Sequence, residues 1–262
     1  MKKISILLLT ALCTAAVQGQ ESKENVALYA TDSSGQNAAK SGSTPSGSRQ
    51  HPAEPEMVFV PGGTFWMISL QEEHPDSSES DENLLHSVTM SSFHIGKYEV
   101  TQAQWKLLMD NNPSDFKGDN LPVENVSWND VQEFIARLNA ATGKQYRLPT
   151  ETEWEYAARE GTKRSSYEYS GSDGISDVAW FDGNSSEKTH PVGQKSPNSL
   201  GIYDMSGNVW EWCQDCYDAS CLHRVDRGGS WYDCAQACRV ADRCSSSPSN
   251  CYSNLGFRLV LP

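Results

Sequence analysis

Basic side chains are scarce in this sequence of 262 residues: 21 Lys and Arg stand against 34 Asp and Glu, and the formal net charge is −13. A surface this acidic repels phosphate backbones, which argues against nucleic acid as a partner. Long apolar runs are lacking too, since the stretch Ile4–Leu12 is shorter than the roughly 20 residues that cross a bilayer. With 37% hydrophobic residues, 19 Gly and 12 Pro, the composition is that of a soluble globular chain and not of a collagenous one.

The first 19 residues have the order of an export signal. Two lysines precede the apolar run Ile4–Leu12, and small residues follow it. Either a signal peptidase cleaves near Gly19 or Cys13 is lipidated, although Leu12 is larger than the residue that usually precedes a lipidated cysteine. We predict an exported lipoprotein held at the cell surface by a lipid anchor on Cys13, with a periplasmic or secreted protein as the alternative.

Residues 20–55 have a composition that does not favour folding. They are rich in Ser, Gly, Ala, Asn and Lys and nearly free of large apolar side chains. Such a segment cannot bury enough apolar surface to offset the entropy of ordering it. We therefore predict a disordered tether over residues 20–55, followed by one folded domain over residues 56–262.

Local patterns predict a few short elements in the folded part. An apolar strand from Met57, a turn with two glycines and a second strand up to Phe65 indicate a hairpin. Capping-box spacings predict helices that begin after Thr101, Ser127 and Thr150. Beyond the third helix no long periodic segment remains, while Trp, Gly, Asn and Asp are frequent. This half of the domain should consist of turns and short strands held by aromatic packing.

Motifs spread from residue 61 to residue 258 carry a family resemblance. They are Pro61-Gly62-Gly63-Thr64-Phe65, Tyr98-Glu99-Val100-Thr101, Val126-Ser127-Trp128, Arg147-Leu148-Pro149-Thr150-Glu151, Gly207-Asn208-Val209-Trp210-Glu211-Trp212, Arg227-Gly228-Gly229-Ser230-Trp231 and Gly256-Phe257-Arg258. Because these motifs occur in this order, the sequence resembles the formylglycine-generating-enzyme (sulfatase-modifying factor) superfamily. The resemblance implies an α+β, C-type-lectin-like fold with little regular secondary structure, a few short helices and short antiparallel strands. It does not decide the function, because the superfamily includes oxidases, other enzymes and non-catalytic binding proteins.

The oxidases of this superfamily use two cysteines after the Gly-Gly-Ser motif to bind copper and engage a substrate thiol. Here the candidates are Cys234 and Cys238, separated by three residues where the oxidases have four. Cys238 stands at the family position eight residues after Ser230, but Cys234 is displaced by one residue. On a strand, such a slip would turn the side chain to the opposite face. A copper-dependent oxidase acting on a sulfatase cysteine is therefore the alternative to a protein without a catalytic site or a required cofactor.

The composition changes in the C-terminal segment, since Lys, Glu and Met are all missing from Gly228 to Pro262. This bias resembles the variable proteins of diversity-generating retroelements, in which randomised Asn codons can yield Tyr, Asp, Cys, Ala, Ser or Asn but never Lys, Glu or Met. Fourteen positions within residues 230–254 hold residues of the permitted set: Tyr232, Asp233, Cys234, Ala237, Asp242, Cys244, Ser245, Ser246, Ser247, Asn250, Cys251, Tyr252, Ser253 and Asn254. We call these the variable-set residues and the stretch 230–254 the variable segment.

A rigid fold can present such side chains without using them in its core, as antibody paratopes present Tyr, Ser and Asn. The sequence thus predicts a non-catalytic protein whose variable segment binds an unknown protein or cell-surface ligand. An ordinary polar loop with a chance bias would give the same composition.

Two further features concern cysteine and calcium. If Cys13 and the three cysteines of the variable set are set aside, the scaffold keeps an even number, namely Cys213, Cys216, Cys221 and Cys238. Their pairing does not follow from the sequence, and Cys213-x-x-Cys216 alone is a weak redox or zinc half-site. By the resemblance, Gly207, Val209 and Glu211 could hold a structural calcium ion through hard oxygen ligands. The alternative for Glu211 is a buried ion pair.

Overall fold

The computed structural model describes residues 50–69, 84–163 and 165–262. The predictions for Cys13, for the export signal and for most of the tether lie outside these residues. Within them the chain is of the α+β class, with few helices and short, mostly antiparallel strands, as predicted. No helix of the described residues is both long and apolar enough to cross a membrane.

Three helices begin where the capping boxes predict them. Among the described residues the α-helices are α1 (Gln102–Lys106), α2 (Trp128–Thr142), α3 (Glu151–Ala158) and α4 (Ile175–Val178), and α4 begins after Gly174 without a side-chain cap. At Thr101, Ser127 and Thr150 the side chain accepts a hydrogen bond from the third helical N–H, and the side chain at that third position accepts one from the backbone N–H of the cap residue. Helix α2 ends at Gly143, whose φ of +70° favours glycine.

The strands of the described residues form three small sheets. The first has the order β1 (Met57–Val60), β4 (Phe93–Gly96), β9 (Val260–Leu261), and the second pairs β2 (Gly63–Ser69) with β3 (Leu84–Met90). The third has the order β7 (Arg243–Ser246), β6 (Arg224–Arg227), β5 (Trp210–Cys216), β8 (Leu255–Gly256). Strands β5 and β8 run parallel, and the other pairs are antiparallel.

The predicted hairpin between Met57 and Phe65 is wrong. Both strands exist, but β1 pairs with β4 and β2 pairs with β3, so the turn at Gly62 passes the chain from one sheet to another. The Gly62 N–H donates to Ser92 Oγ, and a Cβ at this position would come within 2.6 Å of the Met90 carbonyl. The glycine is therefore needed for a close approach to the loop before β4 and not for a tight hairpin.

Aromatic side chains fill the core in both halves of the domain, and not only in the half beyond the third helix for which aromatic packing was predicted. Trp105 stacks on Phe134 at 5.2 Å between ring centroids, and Phe257 meets both rings edge-on. Trp154 and Trp212 are fully buried. Large rings of this kind bury much apolar area per residue, which allows a stable core with few regular elements.

The folded domain begins earlier than the predicted residue 56. Ala53 is fully buried, and the carboxylate of Glu54 accepts hydrogen bonds from the His51 N–H and the Tyr146 hydroxyl and forms an ion pair with Lys144. Residues 51–55 thus belong to the domain and not to a tether. Composition missed this because a few well-placed contacts hold a segment that is otherwise polar.

Candidate functional site

The variable segment begins after β6, makes a 3₁₀ turn at Ala235–Cys238, forms β7 and returns to β8. Its two ends are held together. The Trp231 indole N–H donates to the Ser253 carbonyl at 3.0 Å, and the Asn254 amide donates to Ser230 Oγ at 3.2 Å. The two ends of the segment, which carry Tyr232 and Tyr252, therefore lie side by side, and we call the surface that they form with the rest of the segment the display face.

Thirteen of the fourteen variable-set residues are exposed or half-buried. The exposed ones are Tyr232, Cys234, Cys244, Cys251 and Tyr252, and the half-buried ones are Asp233, Ala237, Asp242, Ser245, Ser247, Asn250, Ser253 and Asn254. The exposed fractions of Tyr232 and Tyr252 are 69% and 45%, which is high for side chains with large apolar rings. Both rings are available to a ligand at this face.

Two variable-set residues are part of the scaffold. Ser246 is only 8% exposed, and its hydroxyl donates to Asp226 at 3.2 Å. Asp233 accepts hydrogen bonds from the Trp210 indole N–H at 2.8 Å and from the Ser230 hydroxyl. The sequence placed all fourteen residues outside the core, and for Ser246 this expectation is wrong. Asp233 is half-buried, but its carboxylate has a structural partner.

A rigid base supports the display face. Trp231 is buried, packs edge-on against Phe116 at 5.2 Å, and donates its backbone N–H to the Asn208 carbonyl. Trp212, fully buried beneath, donates its indole N–H to the Val126 carbonyl at 3.0 Å. Every one of these contacts uses residues outside the variable set. Substitutions at the exposed positions would thus leave the base intact.

The two cysteines of the oxidase alternative differ in environment. Cys234 is exposed, whereas Cys238 is fully buried and burial, with the nearby Asp233, raises the pKa of its thiol well above the usual range. A thiol held protonated is a poor copper ligand and a poor nucleophile. Three residues after Ser230, where the oxidases have their first cysteine, stands Asp233, already bound to Trp210. This donor set does not fit a bis-thiolate copper site.

The other scaffold cysteines form one bridge. Cys216 and Cys221 are disulfide-bonded, while Cys213 and Cys238 are buried and free. The even set of four therefore yields one pair and two isolated core thiols. With Cys213 buried and Cys216 bridged, Cys213-x-x-Cys216 does not form a redox or zinc half-site.

The motif that suggested calcium is built around an ion pair. Glu211 binds Arg258 through both carboxylate oxygens at 2.6 and 2.7 Å and also accepts the Trp154 indole N–H at 2.8 Å. Gly207 has a φ of +77°, and a Cβ there would come within 2.3 Å of the Trp180 carbonyl. Within the described residues no group of three or more His, Cys, Asp or Glu is arranged to hold a metal ion. Both carboxylate oxygens of Glu211 are engaged by Arg258 and Trp154, so for this residue the structure has the buried ion pair that the sequence offered as the alternative.

Helix α2 separates the display face from the point where the chain enters the domain. Near its N-terminus the Asn125 N–H donates to the Tyr252 carbonyl and the Asn129 N–H to that of Pro248. Its C-terminal residues line a cavity of about 690 Å³ together with His51 and Glu54. A helix of 15 residues is about 22 Å long. The two features thus lie at opposite ends of α2.

Two buried acids beside the display face were missed from the sequence. Burial raises the pKa of Asp226 to about 7, and Asp233 adds to the shift. Burial likewise raises the pKa of Glu124, which accepts the Phe116 N–H, to about 7. One oxygen of each carboxylate has no hydrogen-bond partner among the described residues. Nothing in the local sequence distinguishes these two acids from surface carboxylates.

This arrangement of short strands, aromatic core and displayed C-terminal segment is the C-type-lectin-like fold of the formylglycine-generating enzymes. The Sulfatase-modifying factor enzyme 1-like domain (FGE-sulfatase) family matches residues 42–262, and the chain belongs to this family. The chaperone protein LppX of Paenibacillus barcinonensis is 36% identical over 243 residues, which cover 71% of this chain and 82% of that protein.

Two further relatives bear on function. The solved structure of Treponema denticola variable protein 1 is 32% identical and has a TM-score of 0.70, covering 78% of this chain and 94% of that one. Its likeness confirms the resemblance to retroelement variable proteins. The inactive C-alpha-formylglycine-generating enzyme 2 of Mus musculus is 29% identical over 275 residues, or 79% of this chain and 86% of that protein. Formylglycine-generating enzymes also match, so similarity alone does not separate binding proteins from oxidases.

Proposed function

We propose that this protein is a non-catalytic binding protein whose display face recognises a protein or cell-surface ligand. The observation that carries the proposal is the exposure of Tyr232 and Tyr252 on a base of buried tryptophans. Aromatic side chains with few rotatable bonds bind at low entropic cost and are common energetic anchors of interfaces. The half-buried Ser and Asn residues around them supply adaptable hydrogen bonds.

Diversification of the variable segment is the second part of the proposal. Apart from Ser246 and Asp233, which have structural partners, the twelve remaining variable-set side chains lie at least partly exposed, so exchange among them costs little stability. The similarity to Treponema denticola variable protein 1 supports the same conclusion. In genomic DNA we expect a near-identical copy of the last ~100 bases, with Asn codons at these positions, beside a reverse-transcriptase gene.

The tether completes the proposal. A lipid on Cys13 would fix the N-terminus of the chain at the membrane, and the domain begins at the end of α2 that is remote from Tyr252. The display face would then point away from the membrane, towards ligands in the medium or on another cell.

The test is a library of this protein on yeast, randomised at the exposed and half-buried variable-set positions and selected against a panel of unrelated proteins. A matched library carries the same number of changes at exposed positions around Phe59 and Leu222, outside the variable segment. Residues 230–254 of each binder are then moved into a related scaffold. Affinity should move with the segment. Equal yields from both libraries, or affinity that follows residues before Gly228, would contradict the proposal.

A further inference from the structure

A buried carboxylate lies under the display face without an ionic partner. Asp226, on β6, is 3% exposed, and its Oδ1 has no hydrogen-bond partner among the described residues. Its Oδ2 accepts only the Ser246 hydroxyl at 3.2 Å. A buried carboxylate normally requires a cation or several donors to offset the loss of water.

The register shows which way this carboxylate points. Asp226 lies opposite Cys244 on β7 and opposite Trp212 on β5. Residues directly opposite in an antiparallel pair share a face of the sheet. Cys244 is exposed and Trp212 is buried, so Asp226 occupies the boundary between the display face and the core.

A second carboxylate lies on the same face of the sheet. Asp233 accepts the Trp210 indole N–H at 2.8 Å. Trp210 lies two residues before Trp212 on β5, so its side chain is on the face that also carries Asp226. The pKa of Asp226, which burial raises and Asp233 raises further, agrees with this proximity. The arginines of β6 are engaged elsewhere: Arg227 pairs with Glu155 at 2.6 Å, and Arg224 donates to the Gln214 carbonyl. Within the described residues no cation forms an ion pair with either acid.

We propose that Asp226 and Asp233 form an acidic recess in the display face that receives a cationic nitrogen group of the ligand, a protonated amine or a guanidinium. The inference rests on the proposed function and makes it more specific. Asp226 belongs to the fixed scaffold, whereas Cys244 and Ser246, which border it, belong to the variable set. The segment would then control access to the recess, and the fixed carboxylate would supply a charge preference shared by all variants.

The probes are N-acetyl-lysine and N-acetyl-arginine methylamides, with the uncharged norleucine and citrulline derivatives as matched controls. Binding is measured by amide chemical shifts at pH 8. The pKa of Asp226, in its surroundings of Asp233, Cys244 and Ser246, is about 7, so most of this carboxyl group is ionised at pH 8. We expect the cationic probes to bind at least tenfold more tightly than the neutral ones. The lysine and arginine derivatives distinguish an ammonium from a guanidinium preference.

Asp226→Asn should remove the difference between cationic and neutral probes, and Asp218→Asn, on an exposed loop, should preserve it. Carboxyl ¹³C titration of the unaltered protein gives an independent readout, because a bound cation should lower the pKa of Asp226. Cys244→Ala with Ser246→Gly should open the recess and tighten binding of the cationic probes. Equal affinity for all four probes, or a preference retained in Asp226→Asn, would overturn the recess.

The test of the acidic recess and the test of the proposed function can fail independently. If selected binders follow the variable segment but show no charge preference, the recess alone is wrong. If the cationic probes bind but affinity for selected proteins does not follow the segment, the display proposal is wrong and the recess stands.

Discussion

The indole N–H of Trp210 donates to the carboxylate of Asp233 at 2.8 Å, joining a buried motif residue of β5 to the variable segment 23 positions later. Asp233 thus serves as both a surface side chain and the acceptor for a buried donor. Removal of such an acceptor leaves the donor unpaired, which usually costs ~1–3 kcal/mol.

Asp233→Ala should therefore destabilise the fold by ~1–3 kcal/mol, whereas Tyr232→Ala, its exposed neighbour, should change stability by less than about 0.5 kcal/mol. Chemical denaturation of the two variants measures both values. Asp233→Asn, which keeps an acceptor oxygen, should recover part of the loss. Equal effects at Asp233 and Tyr232 would show that the contact to Trp210 contributes nothing.

Stability should depend on the charge of Asp226. Its pKa is raised from the ordinary range near 4 to about 7, so the folded state holds the proton more tightly than the unfolded state. The resulting destabilisation is absent at pH 4, grows as the pH rises and is complete above pH 7. Asp226→Asn should gain stability relative to the unaltered protein over this interval, by at least about 1 kcal/mol at pH 8.

Melting temperatures of both proteins between pH 4 and pH 8 measure this difference. Asp218→Asn is the control. The Ser220 hydroxyl lowers the pKa of Asp218, so loss of this carboxylate should reduce stability as the pH rises, opposite to the trend for Asp226→Asn. If the melting temperatures of Asp226→Asn and the unaltered protein differed by the same amount at every pH from 4 to 8, the raised pKa of Asp226 would be contradicted.

Calcium should have no effect that depends on Glu211. Its carboxylate already binds Arg258 and Trp154, so calcium or a chelator should leave the melting temperature unchanged. Glu211→Gln leaves Arg258 buried and unpaired and should cost ~3–5 kcal/mol. Stabilisation by calcium in the unaltered protein that is lost in Glu211→Asp would restore the calcium interpretation.

The purified protein should not oxidise a cysteine-containing sulfatase peptide, with or without copper. Cys238 is buried and its thiol pKa is raised, while the position three residues after Ser230 carries Asp233. Peptide mass spectrometry detects the conversion of cysteine to formylglycine. Product that disappears in Cys234→Ser and in Cys238→Ser would establish the oxidase, and Cys251→Ser serves as the unrelated cysteine control.

The sequence predicted those elements whose formation depends on contacts between residues close together in the chain. The capping boxes at Thr101, Ser127 and Thr150 fix helix starts through contacts within four residues, so α1, α2 and α3 were predictable. Strand partners were not, because the partners of β1 and β4 depend on pairs such as Val58 with Ile95 and Ile95 with Val260. Such pairings depend on the whole core.

The display face shows the same difference between features that depend on nearby residues and features that depend on distant ones. The resemblance to retroelement variable proteins indicated which residues are of the displayed type, and Tyr232 and Tyr252 are indeed exposed. The structural roles of Asp233 and Ser246 depend on Trp210 and Asp226, each at least 20 positions away, and were not visible in composition. The recess was missed for the same reason, since Asp226 lies on β6 and Asp233 reaches the same sheet only through its contact with Trp210.

Helix α2 also makes this domain suited to oriented attachment. Residues 51 and 54 lie beside the C-terminal end of α2, whereas the Tyr252 carbonyl is bound by Asn125, just before the N-terminal end of this helix of about 22 Å. A domain linked directly at residue 50 to a bead or a sensor surface would therefore be held by the side away from Tyr252, without chemical modification of the domain itself.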